Sequence, residues 1–131
     1  DLPLVAMLSG VLNARTGALA LARAGLPAPV FVPANGAPAV WAVPGPFLGT
    51  SSTTYQPLSE TLKPGDRLLI GTDGTRPDGE PGPSATDRLL EAATKHRNTA
   101  GAAFVDAVAR ELLQQVRHAD DFTLFGVEML P

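Results

Sequence analysis

The sequence predicts an α+β domain in which two helices cover one face of an antiparallel sheet. The 131 residues fit one domain, and 13 Gly and 13 Pro residues indicate short strands joined by many turns. Two segments with helical periodicity follow the early apolar runs, and one more apolar run ends the chain. Because no internal repeat or linker is visible, residues 1–131 are interpreted as a single domain.

Apolar runs bounded by turn residues are predicted to be strands. The third and fourth of them flank Asn35-Gly36, which is a strong hairpin signal. The sixth contains three consecutive large apolar residues, Leu68 to Ile70, and this indicates burial on both faces. The predicted strands are Pro3–Leu12, Ala18–Arg23, Pro29–Val32, Ala39–Val43, Tyr55–Leu58, Arg67–Thr72 and Phe122–Met129.

The two predicted helices lie between the sixth and the last strand. A Pro/Gly-rich loop at Arg76–Pro83 precedes the first helix, which opens at Ser84 with Asp87 three residues later as a capping box. The second helix is predicted over Ala100–Arg117, because apolar residues recur there every four positions. These residues are Phe104, Val108, Leu112 and Val116.

The composition excludes several classes of function. The formal net charge is −3 and no Lys/Arg cluster occurs, so we predict neither a nucleic-acid partner nor a membrane-surface role. The chain has no cysteine, which excludes thiol catalysis and Cys-ligated zinc and suits a cytoplasmic protein. The apolar stretch Leu2–Leu12 is too short to span a bilayer. Because the chain begins at Asp1 rather than Met, we interpret it as part of a longer protein.

Acidic motifs sit at the ends of two apolar runs. Thr72-Asp73-Gly74 directly follows the sixth predicted strand, and Asp120-Asp121 directly precedes the last. If both runs are central strands and antiparallel neighbours, these carboxylates meet at one rim of the sheet. Carboxylates that close repel each other, and a divalent cation such as Mg²⁺ or Mn²⁺ relieves the repulsion. The bland alternatives are that Asp73-Gly74 forms only a turn and that Asp120-Asp121 only caps a loop.

Several motifs in order resemble the C-terminal half of a SpoIIE-type domain of the metal-dependent protein phosphatase family. The resemblance spans Leu4 to Leu130. Its motifs are Ala24-Gly25-Leu26-Pro27-Ala28-Pro29, Pro46-Phe47-Leu48-Gly49, Leu62-Lys63-Pro64-Gly65-Asp66-Arg67-Leu68-Leu69-Ile70, Thr72-Asp73-Gly74 and Asp120-Asp121-Phe122-Thr123.

This resemblance implies a β-sandwich with helices packed on it, incomplete at its N-terminus. It also implies a site with two Mn²⁺ or Mg²⁺ ions that activates water for attack on phosphoserine or phosphothreonine. The implied metal-site residues are Asp73 and Asp120, with Asp121 as an alternative ligand and Gly74 allowing close backbone approach. The implied substrate is a phosphorylated bacterial regulatory protein, such as an anti-sigma-factor antagonist.

The chain departs from the family pattern at three places. The first metal motif of the family, an Asp followed by Gly in the N-terminal half, is absent from these residues. Leu26 stands where the family often has His, and no acid follows Gly74 until Asp78. A degenerate phosphatase fold that binds proteins without catalysis is therefore the alternative function. An exposed sheet edge would further favour contact with missing neighbouring strands or with a second copy of the chain.

Overall fold

A computed structural model describes residues 4–74, 84–116 and 121–131. The predicted loop at 76–83, Pro3, Arg117 and Asp120 lie outside the described residues. Within the described residues, the first strand begins at Met7 rather than near Pro3, and the second helix ends at Gln114 rather than near Arg117. The strands are β1 (Met7–Leu12), β2 (Ala18–Ala24), β3 (Val30–Val32), β4 (Ala39–Val40), β5 (Leu58–Thr61), β6 (Arg67–Gly71) and β7 (Leu124–Glu128). The helices are α1 (Ala85–His96) and α2 (Gly101–Gln114).

The strands form two antiparallel sheets, and the helices pack on only one of them. The first sheet has the order β1-β2-β5 and the second has the order β4-β3-β6-β7. Helix α1 contacts β3 and β4, whereas α2 contacts β7. The predicted class, an α+β fold with a sandwich of antiparallel sheets and two helices packed on it, is confirmed. None of the described helices has the length and hydropathy needed to cross a bilayer.

Strand β6 lies between two hydrophobic cores. Leu69 is fully buried between the second sheet and the helices, where its cluster includes Phe104 and Leu112 of α2. The preceding residue, Leu68, faces the first sheet and joins the cluster of Leu19 and Leu21. Successive residues of a strand point to opposite faces, so a strand between two cores needs apolar residues at consecutive positions. The prediction from Leu68 to Ile70 is therefore confirmed.

Strands β5 and β4 differ from their predictions in position and in length. Strand β5 covers Leu58–Thr61 rather than Tyr55–Leu58, because its pairing with β2 begins at Leu58. The Tyr55 hydroxyl instead donates to the carbonyl of Pro46 at 2.8 Å, which keeps this segment beside a loop. The hairpin around Asn35-Gly36 is present, but β4 is only two residues long.

The last predicted strand is also placed differently from the expectation. Strand β7 is an edge strand of the described sheet, not a central one. Its residue Phe125 is 56% exposed, although the strand sequence is largely apolar. An apolar run gives no indication of whether a further strand pairs with it, so the supposition that both acidic-ended runs are central strands holds only for β6 within the described residues.

The start of helix α1 has the predicted capping box. The Asp87 amide donates to the Ser84 hydroxyl at 3.1 Å, and the Ser84 amide donates to the Asp87 carboxylate at 3.3 Å. These two backbone amides have no carbonyl acceptor within the helix, and the capping box supplies one for each of them. The capping box therefore fixes where the chain enters α1.

An ion-pair cluster joins α1 to α2 at the surface. Lys95 lies 2.9 Å from the Glu111 carboxylate, and the His96 ring nitrogen lies 3.3 Å from it. The hydrogen bond from Lys95, and after it the hydrogen bond from His96, lowers the pKa of Glu111 from its ordinary value of 4.5. A carboxyl group with a lowered pKa stabilises the fold above its unfolded pKa, and this contribution is lost as the pH falls.

We expect Glu111→Gln to flatten the acid side of the stability profile. Wild type should lose more stability than the variant as the pH falls below about 4.5, because only wild type must protonate this paired carboxylate. The measurement is the unfolding midpoint from about pH 7 to pH 2, with Glu91→Gln at an exposed position of α1 as the control. Identical acid slopes for wild type and Glu111→Gln would contradict the role assigned to the cluster.

Candidate metal centre

The rim of the second sheet is built where β6 ends and β7 begins. Gly71 pairs with Leu124 as the last pair of the antiparallel register. Beyond it the Thr72 amide donates to the Thr123 carbonyl at 3.0 Å, and the Thr123 amide donates to the Thr72 hydroxyl at 2.9 Å. The segment after β6 and the segment before β7 therefore remain hydrogen-bonded for one residue beyond the strands, up to the acidic motifs. We call this reciprocal pair of Thr72 and Thr123 the threonine clamp.

The predicted metal-site residues lie next to the threonine clamp in the sequence. Asp73 directly follows Thr72 and is exposed, whereas the next residue, Gly74, is buried. Asp121 is also exposed and precedes Thr123 by two positions. The sequence placed the end of the sixth predicted strand beside the start of the last one. The observed antiparallel pairing of β6 and β7 agrees with this.

The carboxylate oxygens of Asp73 and Asp121 at this rim suit a hard divalent cation, but these two described acids alone do not make a metal site. Carboxylate oxygens are the ligands that Mg²⁺ and Mn²⁺ prefer. Over residues 4–74, 84–116 and 121–131, no group of three acidic or His side chains could hold a metal ion. A site that includes Asp73 and Asp121 therefore needs further ligands, and the assignment of these residues stays a prediction.

Packing of β7 against α2 holds the rim in place. A Cβ atom added at Gly126 would lie 2.8 Å from the Cγ2 atom of Val105, so the strand approaches the helix as closely as a glycine permits. Phe122 and Leu124 are half-buried and pack against the core between the second sheet and the helices. The start of β7 is thus fixed on one side by the helix and on the other by the threonine clamp.

The outer edge of β7 carries an apolar groove. A cavity of about 420 Å³ lies between this strand and the first turns of α2. Arg67 contributes to its lining, and its guanidinium carbon lies 3.9 Å from the centre of the Phe104 ring. Within the described part of the chain no strand pairs with this edge. Among the described residues, β7 thus has an exposed edge.

Sequence reasoning missed the part that Thr72 has in the rim and the burial of Arg88. The Thr72 hydroxyl is an acceptor in the threonine clamp, although Thr72 was considered only as part of a motif. Arg88 was not considered, yet it is buried in the first turns of α1. Its position relative to Ala92 gave a signal, because residues four apart lie on the same face of a helix and Ala92 belongs to the apolar face.

Comparison with known proteins gives one matching family. The sequence profile of Stage II sporulation protein E (SpoIIE) matches residues 3–130. No curated protein sequence matches the chain.

Solved structures share the fold. The RsbU and RsbW domains of Rv1364c from Mycobacterium tuberculosis superpose with a TM-score of 0.82 at 25% identity, over 95% of this chain and 36% of that chain. The phosphatase domain of the cell fate determinant SpoIIE from Bacillus subtilis gives a TM-score of 0.70 at 15% identity, over 96% of this chain and 59% of that chain. An Mn-presoaked structure of that domain gives 0.70 at 16% identity, over 96% of this chain and 56% of that chain.

These similarities agree in coverage and in architecture. The chain spans 36% of the first of these structures and 59% of the second, so it corresponds to a part of each. The profile match covers nearly the whole chain. The chain belongs to the SpoIIE family and shares its fold with the solved phosphatase domain of SpoIIE from Bacillus subtilis.

Proposed function

We propose that this chain is part of a metal-dependent protein serine/threonine phosphatase. The observation that carries the proposal is the threonine clamp, since the residues that flank it are the two acidic motifs. Family membership adds support, because the SpoIIE profile covers residues 3–130. The ions would be Mn²⁺ or Mg²⁺, and one of the similar structures was presoaked with Mn.

Each residue of the rim has a task in this proposal. Asp73 from one strand end and the Asp120-Asp121 pair from the other supply carboxylate oxygens. Gly74 has no side chain and lets the backbone approach the site closely. The threonine clamp keeps the two strand ends at a fixed separation. When bound, two divalent ions would activate water and stabilise charge on the phosphoryl oxygens.

The remaining metal ligands are proposed to come from residues outside this chain. Two strand ends provide only three carboxylates, whereas hard cations such as Mg²⁺ take about six oxygen ligands, some of them water. The chain spans 59% of the Bacillus subtilis phosphatase domain, so the longer domain has residues without a counterpart here. Strand β7 begins three residues after Asp121, and its outer edge has no partner strand among the described residues; a further strand on that edge would also end near the rim.

The proposed substrate is a phosphorylated bacterial regulatory protein in the cytoplasm, such as an anti-sigma-factor antagonist. Support comes from the similar structure that contains RsbU and RsbW domains. The acidic balance of the chain, with a formal net charge of −3, also favours a protein over a nucleic acid as the partner.

The apolar groove along β7 favours a second candidate, a phosphatase fold that binds proteins without catalysis. An exposed strand edge beside a cavity of about 420 Å³ can bind an extended segment through backbone hydrogen bonds. This function needs the edge of β7 but does not need Asp73. A second copy of the chain could also bind this edge, and size-exclusion chromatography would detect the dimer.

Phosphate release separates the two candidates. A polypeptide that carries this chain together with the segment preceding it in its parent protein should release phosphate from a phosphoserine peptide when Mn²⁺ is present. Addition of EDTA should stop the release, and a phosphotyrosine peptide serves as the specificity control. If Mn²⁺ and EDTA have no effect on phosphate release, the enzymatic proposal is wrong and the binding function takes its place.

A further inference from the structure

Arg23 is a half-buried cation near the end of β2, and its side chain is directed between the two sheets. Leu19 and Leu21 of the same strand belong to the core between the sheets. Since every second side chain of a strand lies on the same face, Arg23 is directed toward the same interior. Its Nε donates to the carbonyl of Val43 at 2.6 Å, and Val43 is a buried member of that core. This hydrogen bond agrees with the orientation deduced from the strand.

Arg23 lies at the same end of the sandwich as the acidic motif after β6. Its Nη1 donates to the carbonyl of Leu26, in the loop that leads from β2 to β3. Strand β3 pairs with β6 so that Val30 lies opposite Leu69. Because the pairing is antiparallel, residues before Val30 lie on the side of residues after Leu69. Leu26 precedes this pair by four residues, and Asp73 follows it by four.

The Arg23 guanidinium has donors left over. Its hydrogen bonds to the two carbonyls use Nε and one N–H of Nη1, so both N–H groups of Nη2 remain. No buried side-chain nitrogen or oxygen of the described residues is without a hydrogen-bond partner, so Nη2 reaches the surface. Within the described part of the chain, Arg23 forms no ion pair with a carboxylate. Arg23 therefore presents an uncompensated positive charge and unused donors at this end of the fold.

We propose that Arg23 binds the phosphoryl group of the phosphoprotein substrate. A guanidinium can bind two oxygens of a phosphate through parallel hydrogen bonds from adjacent nitrogens. The exposed carboxylates of Asp73 and Asp121 repel such an anion, and a positive charge at the same end of the sandwich offsets this repulsion. The carbonyls of Leu26 and Val43 hold the guanidinium in place beforehand, which lowers the cost of ordering it. The inference rests on the proposed phosphatase function.

The test measures phosphoryl binding by the 131-residue chain without any metal. Inorganic phosphate and a phosphoserine peptide are titrated at constant ionic strength and followed by NMR. The Nε–H resonance of Arg23 reports binding directly, because Nε is held by the Val43 carbonyl. Both ligands should shift this resonance to saturation, and inorganic phosphate should displace the peptide. The same peptide with unmodified serine should leave the resonance unchanged.

Arg23→Gln should weaken binding of both ligands by about tenfold, a typical loss for a hydrogen bond to a charged group. Arg67→Gln is the matched control, since Arg67 also donates to two carbonyls but lies at the start of β6, away from the rim. This control should keep wild-type affinity. Arg23→Lys keeps the charge without the planar fork and should bind with intermediate affinity. Its phosphate affinity keeps the test decisive if Arg23→Gln does not fold.

Three results would overturn the inference. Unchanged affinity in Arg23→Gln and Arg23→Lys would show that the guanidinium does not bind the anion. Equal losses in Arg23→Gln and Arg67→Gln would show a general effect of lower stability. An equal shift with the unmodified peptide would show that the phosphoryl group is not what binds.

Failure of the proposed catalysis is distinguishable from failure of this inference, because the binding measurements contain no metal. If Mn²⁺ and EDTA leave phosphate release unchanged while Arg23 still binds phosphate, the enzymatic proposal is wrong and phosphoryl binding by Arg23 stands. If phosphate release depends on Mn²⁺ but the Arg23 resonance does not respond to either ligand, the enzymatic proposal stands and Arg23 has no part in it.

Discussion

Asp73→Asn is expected to reduce Mn²⁺-dependent phosphate release by at least about 100-fold. Loss of a residue that only hydrogen-bonds to a metal ligand costs up to about 100-fold, and loss of a ligand itself should cost at least as much. Asn keeps the size of the side chain but removes the negative charge and one carboxylate oxygen. The residue is exposed at the end of β6, so the substitution should leave the unfolding midpoint nearly unchanged. The measurement is phosphate release from a phosphoserine peptide over a range of Mn²⁺ concentrations.

Asp106→Asn is the matched control for this prediction. Asp106 is also an exposed aspartate, but it lies in α2 away from the acidic motifs in the sequence. It should keep wild-type activity, because the same loss of charge occurs outside the proposed site. If Asp73→Asn and Asp106→Asn retain equal activity, Asp73 is not a metal ligand.

Asp66→Ala is expected to destabilise the domain by about 3 kcal/mol, because two backbone donors lose their acceptor. Asp66 is 6% exposed, and its carboxylate accepts hydrogen bonds from the amides of Ala34 and Lys63, each at 2.8 Å. It thereby joins the loop after β3 to the turn before β6. Without the carboxylate, neither contact can form.

Chemical denaturation measures this effect, and Asp66→Asn provides the graded control. The Asn side chain keeps one oxygen that can accept from one of the two amides, so its loss of stability should be smaller than that of Asp66→Ala. A loss of less than about 0.5 kcal/mol for Asp66→Ala, which is typical of an unconstrained surface position, would contradict this role.

Local sequence patterns predicted much of the fold. The capping box of Ser84 and Asp87 was visible because both partners lie within one helical turn. The apolar run around Leu69 identified the strand between the two cores, because burial on both faces requires it. The proximity of the acidic motifs after β6 and before β7 could also be predicted from these apolar runs, since antiparallel neighbours bring the end of one strand beside the start of the other.

Features that depend on distant partners could not be predicted in this way. The short β5 is set by its register with β2, and Tyr55 is held by the carbonyl of Pro46. The spacing of Arg88 and Ala92 places Arg88 on the apolar face of α1, but its acceptor on α2, the Leu112 carbonyl, cannot be read from a local pattern. The edge position of β7 depends on which strands are present at all.

The most direct test of the central claim is an Mn²⁺ titration of the isotopically labelled chain, followed by amide NMR. If acids from two strand ends share one cation, the amides of Gly74, Phe122 and Thr123 should broaden together at the same Mn²⁺ concentrations. Asp73→Asn should abolish the broadening at all three positions. Broadening at only one strand end, or unchanged broadening in Asp73→Asn, would contradict a shared cation site.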